Sequence, residues 1–299
     1  MTDTSGDPFV AEEFERLRPH LRSVAYRVLG SLTEAEDAVQ EAWLRLHRSD
    51  RAEIDNLGGW LTTVVARVSL TLLKARRSRR ESGLAELAEC LPDPIVTPVD
   101  GTPSPEEAVL LADSLGLALL VVLDTLTPTE RLTFVLHDMF GVGYDEIARM
   151  VERSPEAARK AASRARRRVR GSGAVPDPDP ARQRAVVDAF LAATRDGDIA
   201  GLVRVLAPDV VLRADTGILR VVAGAPAVAQ QAAVFRRLAH DTRPVLVNGV
   251  AGLANGAAVM AFTVRDGLIT EIDILGDKER LARLDLTFPD DETLPEGAR

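Results

Sequence analysis

The hydrophobic and polar positions along the chain divide it into segments of two kinds. Over residues 9–81 and 106–170, apolar residues recur at helical spacing, which predicts amphipathic helices. From residue 181 onward, one helical segment precedes a series of β-rich runs. These runs begin at Val210, Ile218, Val245, Val259 and Leu268. We therefore predict a multidomain chain with two all-α domains followed by an α+β domain that has a curved sheet.

Residues that favour turns and break helices mark the boundaries between these segments. Residues 91–105 hold five prolines and residues 171–180 hold three, so we interpret both stretches as linkers. The predicted domains are 9–81, 106–170 and 181–288, with a tail at 289–299. Within the last domain, Asn255-Gly256 and Asp266-Gly267 favour the positive φ angles of tight hairpin turns.

The composition is that of a globular protein, with 46% hydrophobic and 27% charged residues among 299. The longest apolar run, residues 115–123, has nine residues, about half of what a membrane-spanning helix needs. The N-terminus lacks the basic start and the apolar stretch of a secretory signal. These features predict a cytoplasmic protein with no membrane partner.

The usage of cysteine and histidine argues against a bound metal. The single cysteine, Cys90, cannot form an internal disulfide, and the four histidines are scattered rather than grouped at ligand spacing. We expect neither a metal nor a cofactor. The net charge of −8 would by itself argue against nucleic acid as a partner, but the basic residues are concentrated in two places.

An acidic face is predicted on a helix of the first domain. A capping-box pattern at Thr33 begins a helix that runs to about residue 47. Asp37, Gln40 and Glu41 fall at positions i, i+3 and i+4, so they share one face of this helix. Spacing alone favours an ordinary solvated surface of an amphipathic helix, and the face becomes a candidate site only together with the motifs that follow.

The first concentration of basic residues lies at the end of the next predicted helix, which runs from residue 62 to about residue 80. It places five cations among seven residues: Lys74, Arg76, Arg77, Arg79 and Arg80. One or two cations suit the C-terminus of a helix because of its dipole, but five favour a polyanionic partner. Trp60, just before this helix, either stacks on an unpaired base or belongs to the core.

The second concentration of basic residues lies in a predicted helix-turn-helix. Thr127-Pro128-Thr129-Glu130 combines an N-cap, a proline at the first helical position and the glutamate of a capping box. This helix runs to about residue 139, and a short helix over 144–151 and a third helix after Ser154-Pro155 follow it. Residues 154–170 carry seven cations and one anion, a net charge of +6. Because alanines form the predicted buried stripe of the last helix, its cations are exposed, and we favour a DNA major groove as their partner over an ordinary solvated surface.

Together these motifs resemble the extracytoplasmic-function (ECF) sigma factors of bacterial RNA polymerase over residues 9–170. Residues 18–46 are similar to the first domain of that family, whose acidic helix docks on the β′ clamp helices of core polymerase. Residues 55–80 fall where the family recognises and melts the −10 element, and residues 126–170 fall where it reads the −35 element. The polymerase contacts that the resemblance implies are Asp37, Gln40 and Glu41. The implied −10 contacts are Trp60, Lys74, Arg76, Arg77, Arg79 and Arg80. The implied −35 contacts are Arg159, Lys160, Ser163, Arg164 and Arg167.

The third segment narrows the resemblance to ECF sigma factors with a C-terminal SnoaL-like domain, which has the conical α+β fold of polyketide cyclases and ketosteroid isomerases. Leu91-Pro-Asp-Pro94 is similar to the Leu-Pro-Glu-Pro motif of this subfamily's linker. Two other motifs differ, since Asp215-Thr-Gly-Ile-Leu219 replaces Asp-Gly-Gly-Gly-Lys and Asn248-Gly-Val-Ala251 lacks the proline of Asn-Gly-Xaa-Pro. The resemblance implies that the extension contacts both sigma domains and tunes their engagement with polymerase and promoter DNA.

Three interpretations of the C-terminal domain are open. A catalytic domain would need a base inside the cone; Asp215 and Asp273 lie on predicted strands and His240 is the only histidine, but no acid-base pair stands out. A small-molecule sensor would use an apolar pocket with residues such as Met260 and Phe262, which are equally expected in a core. A contact module for the sigma domains is the interpretation that we favour, and with it the chain is not an enzyme. The alternative for the whole chain is a helix-turn-helix DNA-binding regulator fused to a ligand-binding or catalytic cone domain, which would have no polymerase-docking helix.

Overall fold

The computed structural model describes residues 8–50, 54–81, 90–99, 108, 116–172 and 177–284. These residues form two compact units. The first unit holds the helices of residues 8–81 and 119–172, and the second holds residues 90–99, 116–118 and 177–284. The tail predicted at 289–299 lies outside the described residues.

Three helices pack into a bundle at the start of the described chain. They are α1 (Pro8–Leu29), α2 (Leu32–Arg48) and α3 (Leu57–Glu81). Their apolar stripes form the core, in which Leu21, Tyr26 and Leu61 are at most 2% exposed. Burial of this apolar surface is what stabilises helices of moderate intrinsic propensity.

The structure corrects the predicted starts of α2 and α3, which are both too late. Ser31, rather than Thr33, caps α2, because its backbone is extended at φ −127° and its Oγ accepts a hydrogen bond from Glu34 N at 3.5 Å. α3 begins at Leu57, because Asn56 Oδ1 accepts a hydrogen bond from Gly59 N at 3.0 Å. The residues at 57–61 therefore belong to the helix itself rather than to an approach to it.

The helix-turn-helix predicted in the second all-α segment is confirmed. The helices are α4 (Leu117–Asp124), α5 (Pro128–Phe134), α6 (Tyr144–Val151) and α7 (Pro155–Ser172), and α5 continues as a π-helical turn over Val135–Met139. Thr127 and Glu130 form the reciprocal capping box, with Glu130 N donating to Thr127 Oγ1 at 3.3 Å and Thr127 N donating to Glu130 Oε2 at 3.2 Å. The predicted alanine stripe of α7 is buried at 1% exposure or less, which lets the helix pack closely.

The second unit combines helices with one mixed sheet. Its helices are α8 (Pro180–Asp196), α9 (Ile199–Val205), α10 (Ala225–Val234), α11 (Arg236–Ala239) and α12 (Lys278–Leu281). Its strands are β1 (Val96–Pro98), β2 (Leu206–Asp215), β3 (Leu219–Ala223), β4 (Arg243–Val247), β5 (Val250–Asn255), β6 (Ala258–Arg265) and β7 (Leu268–Leu275). The order of the described strands is β1-β4-β5-β6-β7-β2-β3, with β2 and β7 parallel and the other neighbours antiparallel.

The main core of this unit lies between the helices and one face of the sheet. Phe190 of α8 contacts Phe262 of β6 edge to face, with ring centroids 5.3 Å apart. Val228 of α10 is fully buried in the same core. The predicted class, two all-α domains followed by an α+β domain, is confirmed.

The hairpin turns follow the prediction in one case and differ in another. Asp266 and Gly267 take φ angles of 52° and 76°, as predicted for the turn between β6 and β7. The turn after Asn255 connects β5 and β6 but without positive φ, because Asn255 Oδ1 accepts hydrogen bonds from Ala257 N and Ala258 N at 2.9 Å. The positive φ angles occur instead at Asn248 and Gly249, which join β4 to β5.

Part of the segment predicted as the first linker belongs to the sheet. β1 pairs antiparallel with β4, and Val96 lies opposite Val247. Pro98 is tolerated because β1 is an edge strand, where a missing N–H on the outer side costs no hydrogen bond. Residues 91–99 therefore belong to the second unit, although in sequence they lie between the two helical segments of the first unit. Residues 100–105 lie outside the described residues.

Candidate functional site

The acidic face predicted on α2 lies on the outside of the first bundle. Asp37 and Gln40 are exposed, and the half-buried Glu41 accepts a hydrogen bond from Arg45 Nε at 2.8 Å. Leu44 lies one turn further along the same face and is 43% exposed. The pattern of acidic and amide residues does not reveal this leucine, although its spacing of seven residues from Asp37 places it on that face. The face therefore offers an apolar anchor among acidic and amide groups, as protein-docking surfaces do.

The basic run at the end of α3 separates into two groups. Arg76 is half-buried, because its Nε donates to Glu34 Oε1 at 3.0 Å and its Nη1 donates to Leu29 O at 2.9 Å. It thereby fastens α3 to the junction of α1 and α2. Lys74, Arg77 and Arg79 are exposed, and the side chain of Arg80 lies outside the described part of the chain. Trp60 is half-buried, which is compatible both with stacking on an unpaired base and with a place in the core.

The five residues predicted for the recognition helix α7 lie on its exposed side. They are Arg159, Lys160, Ser163, Arg164 and Arg167. The guanidinium of Arg159 lies 5.5 Å from the centre of the Tyr144 ring, a cation–π contact that orients it. The buried alanines occupy the opposite side of α7, so its exposed side carries the cations.

A buried carboxylate connects the recognition helix to the start of α5. Glu130 is 5% exposed at its side chain and accepts hydrogen bonds from Arg164 Nε at 2.7 Å and Arg168 Nη1 at 3.3 Å. Burial opposes its ionisation, but the hydrogen bonds from Arg164 and Thr127 outweigh burial and lower the pKa of Glu130 below its usual value. The side chain of Arg164 remains 58% exposed, so it can hold Glu130 and still reach outward.

A second network, which sequence reasoning missed, fixes the other side of the helix-turn-helix. Arg166 donates to Asp138 Oδ1 at 2.5 Å and to the Tyr144 hydroxyl at 2.6 Å. The Tyr144 ring stacks on His137 with centroids 3.9 Å apart. α5, α6 and α7 are thus joined by polar contacts as well as by the alanine stripe, which presents the cationic side as a rigid surface.

In the second unit, Arg280 of α12 holds the linker against the sheet. Its Nη2 donates to Asp93 Oδ1 and to Leu91 O, both at 2.6 Å, and its Nη1 donates to Asp215 Oδ2 at 2.6 Å. Asp215 Oδ2 also accepts a hydrogen bond from Leu91 N at 3.1 Å. Sequence reasoning did not find Arg280, because its partners are distant in the chain. We call residues 91–95 with Arg280, Asp215 and Asn248 the linker clamp.

Asn248 completes the linker clamp. Its Oδ1 accepts a hydrogen bond from Ile95 N at 3.1 Å, and its backbone N donates to Ile95 O at 2.7 Å. The three sequence motifs of the C-terminal resemblance, at Leu91–Pro94, Asp215 and Asn248, therefore meet at one place. Asp215 and Asn248 both accept hydrogen bonds from the backbone of the linker, at Leu91 and Ile95.

The candidate catalytic aspartates do not face the apolar core of the domain. Asp273 is 1% exposed and accepts a hydrogen bond from Arg213 Nη1 at 3.0 Å. Burial, opposed by Arg213, raises the pKa of Asp273 to about 6. Side chains alternate along a strand, so Asp215 and Asp273 lie on the opposite face from their neighbours Ala214 and Ile272, which line a cavity.

The cavity lining contains no catalytic acid or base among the described residues. Its polar members are threonines, amides and Arg220. His240 is exposed at the end of α11. General acid–base chemistry needs a titratable group within reach of a bound molecule, so the geometry does not support the catalytic interpretation.

Comparison with known proteins assigns both helical segments. The model of sigma-70 region 2 matches residues 14–79, and the model of sigma-70 region 4 matches residues 116–169. The chain is 35% identical over 277 residues to the probable ECF RNA polymerase sigma factor SigI of Mycobacterium tuberculosis, covering 90% of this chain and 93% of SigI. It is 45% identical over 206 residues to the ECF RNA polymerase sigma factor SigJ of the same species, covering 68% of this chain and 64% of SigJ.

The third segment is included in the structural match. The crystal structure of M. tuberculosis SigJ matches with a TM-score of 0.75 and 34% identity, over 93% of this chain and all of that one. Region 2 followed by region 4 defines a transcription initiation factor that binds core RNA polymerase and promoter DNA. The chain belongs to the ECF sigma factors, with a C-terminal SnoaL-like domain.

This assignment decides between the interpretations of the whole chain. A sigma factor directs promoter-specific initiation and is not itself an enzyme. The alternative of a helix-turn-helix regulator with no polymerase-docking helix does not account for the region 2 match at residues 14–79. No helix within the described residues is long and apolar enough to cross a membrane.

Proposed function

We propose that this sigma factor is restrained by its own C-terminal domain, which binds the linker between the two promoter-reading segments. The linker clamp is the observation that supports this most directly: Arg280 donates to both Asp93 and Leu91. A linker that supplies β1 to the sheet cannot follow another path until that strand separates. Regions 2 and 4 reach two separate promoter elements, so restraining their linker lowers the fraction of molecules that can initiate.

The contact with core polymerase is assigned to the exposed face of α2. Asp37, Gln40 and Glu41 supply polar and acidic groups, and Leu44 supplies an apolar anchor. The matched region 2 segment contains this face. Electrostatic complementarity steers such an association and fixes its register, while the apolar anchor contributes to its lifetime.

The promoter contacts are assigned to residues of α3 and α7. For the −10 element they are Trp60, Lys74, Arg77, Arg79 and Arg80, and for the −35 element they are Arg159, Lys160, Ser163, Arg164 and Arg167. Arg76 is given a positioning role, because its guanidinium is occupied by Glu34 and Leu29. Arginine and lysine on a helix in the major groove contact phosphates and guanine edges.

The functional boundaries are 9–81, 106–170 and 181–288, with residues 171–180 as a linker and residues 91–105 as a linker whose first part docks on the last domain. Contacts of the C-terminal domain with the sigma domains contribute to the same restraint of initiation. The cavity of this domain is where a small molecule would bind and change that restraint. The setting of such a factor is the cytoplasm, where its polymerase is.

The polymerase assignment is tested with a double variant, Asp37→Ala with Glu41→Ala. Affinity for core polymerase is measured by fluorescence anisotropy of the labelled full chain. We expect the variant to lose about 5- to 150-fold in affinity, since charged contacts at an interface are worth on the order of 1–3 kcal/mol together. Glu12→Ala, which removes an exposed carboxylate from α1, is the matched control. Equal affinities of the double variant and the control would remove α2 from the interface.

The restraint is tested with Asp93→Asn in multi-round transcription with core polymerase and a promoter library. Asn removes the charge from one partner of Arg280 but leaves the buried pair of Arg280 with Asp215 in place. Loss of about 1 kcal/mol from this contact should raise transcript yield by about fivefold where the restrained state dominates. Lys278→Ala removes an exposed cation from the same helix as a control. Unchanged or reduced yield with Asp93→Asn, at normal polymerase affinity, would contradict the restraint.

A further inference from the structure

The C-terminal domain contains an apolar cavity of about 300 Å³ between the helices and one face of the sheet. Its floor is built from buried side chains, among them Phe190, Leu212, Leu253 and Ile272. Protein interiors are close-packed and rarely leave voids much larger than a water molecule. A space of this size falls at the lower end of the range for small-molecule sites.

The buried polar side chains on the cavity wall, those of Asn255, Thr242 and Thr194, are already satisfied by the protein. Asn255 Nδ2 donates to Thr242 Oγ1 at 2.8 Å, and Asn255 Oδ1 accepts from two backbone amides. Thr194 Oγ1 donates to Phe190 O at 2.8 Å. A polar group of a ligand would therefore lose its hydration in the interior without gaining partners. The interior selects an apolar body.

The mouth of the cavity has a different character. Phe235 and Leu238 line it and are 48% and 43% exposed, which is unusual for large apolar side chains. Arg220 of β3 is the charged residue among the described lining residues, and it is exposed. Within the part of the chain that the structure describes, the side chain of Arg220 makes no hydrogen bond or ion pair. An uncommitted guanidinium at an apolar mouth selects an acidic group at one end of a ligand.

We propose that this cavity binds an amphipathic organic anion, with an apolar body in the interior and a carboxylate or similar acid at Arg220. A volume of about 300 Å³ holds on the order of ten groups of ~30 Å³ each, so the body has about ten carbon atoms. The molecule is bound and not converted, because Asp215 and Asp273 lie on the other face of the sheet. This site is separate from the sigma activity, since neither the acidic face of α2 nor the cationic side of α7 lines the cavity.

The class of ligand is tested by isothermal titration calorimetry on the full chain with three probes of equal length. Sodium decanoate carries an acid, decanol is neutral and decyltrimethylammonium is a cation, and all are used below their micelle concentrations. We expect decanoate to bind about three- to tenfold more tightly than decanol, and the cation to bind most weakly. Equal binding of decanoate and decanol, or no binding of either, would overturn the proposal.

Two pairs of variants locate the site. Ala232→Leu places a larger side chain into the cavity from α10, whereas Ala227→Leu adds the same group to an exposed position of that helix. The first should abolish binding of decanoate and decanol, and the second should leave both unchanged. Arg220→Gln should bring decanoate to the affinity of decanol, whereas Arg237→Gln, an exposed arginine outside the lining, should not.

Two further outcomes also count against the site. Decanoate binding that persists in Ala232→Leu, with the far-ultraviolet spectrum of the variant unchanged, would place the probe elsewhere. Decanoate affinity that falls as protein concentration rises, together with dimers in analytical ultracentrifugation, would assign the apolar rim to contact between two copies of this chain.

Discussion

Substitution of Glu130 by Gln is expected to weaken the helix-turn-helix specifically. The carboxylate is 5% exposed and joins three groups: Arg164, Arg168 and the N-terminus of α5 through Thr127. Gln keeps the shape of the side chain and one acceptor oxygen. Its amide nitrogen, however, can only donate, so one of the two arginines must face a group that cannot accept a hydrogen bond.

The magnitude follows from the exposure of the partners. Arg164 and Arg168 are 58% and 52% exposed, so each ion pair is screened and contributes at most about 1 kcal/mol. Disruption of the capping box adds about 0.5–1 kcal/mol. We therefore expect the local free energy of unfolding to fall by about 1–3 kcal/mol.

The effect should depend on pH in a defined direction. The pKa of Glu130 is lower in the folded protein than its usual value of 4.5, so its stabilisation is present above that value. As the pH falls through the lowered pKa, the carboxylate takes up a proton in the folded state too. The difference between wild type and Glu130→Gln should therefore disappear in strong acid.

Native-state hydrogen exchange with mass spectrometry measures this local free energy without requiring the whole chain to unfold in one step. Peptides from α5 and α7 report the effect, and peptides from α8 should be unchanged. Glu156→Gln, an exposed acid in the first turn of α7, is the control for a general change of charge. A change below about 0.5 kcal/mol at neutral pH, or one equal to that of the control, would refute the role assigned to the carboxylate.

Three further predictions concern other parts of the chain. Leu44→Ala should lower the affinity for core polymerase by about fivefold without changing helical content, as measured by anisotropy and circular dichroism. Arg76→Gln should lower the melting temperature, whereas Lys74→Gln should leave it unchanged and weaken only DNA binding, because Arg76 joins α3 to Glu34 while Lys74 is exposed. For Asp273, whose pKa is raised to about 6, the stability of wild type relative to Asp273→Asn should increase as the pH falls through 6, in urea titrations of both proteins; no such trend would refute the raised pKa.

The features that could be predicted are those that depend on near neighbours in the chain. The capping box at Thr127, the helix over Tyr144–Val151 and the alanine stripe of α7 each involve residues a few positions apart. The start of α2 differs from the prediction because two local signals compete there. Ser31 and Thr33 are both residues that favour the N-cap. Which of them caps α2 depends on where α1 ends and on the path of the chain after it.

The candidate site was predictable as a set of faces, but not in the role of each residue. The spacing of Asp37, Gln40 and Glu41 placed them together on one exposed face. The five cations at 74–80 looked equivalent in the sequence. Packing of α3 against α1 and α2 separates Arg76 from Lys74, Arg77 and Arg79, because Arg76 donates to Glu34 and Leu29 while the other three are exposed.

The sequence by itself determined the two helical segments, the recognition helix with its cationic side and the α+β character of the last domain, because caps, periodicity and turns act over a few residues. Only the tertiary structure decided that the linker contributes a strand, that Arg280 holds it and that the two aspartates face away from the cavity. Arg280 and Asp93 are separated by 187 positions, and β1 pairs with a strand far along the chain. Which distant groups meet depends on how the sheet closes, and no local pattern of residues records that.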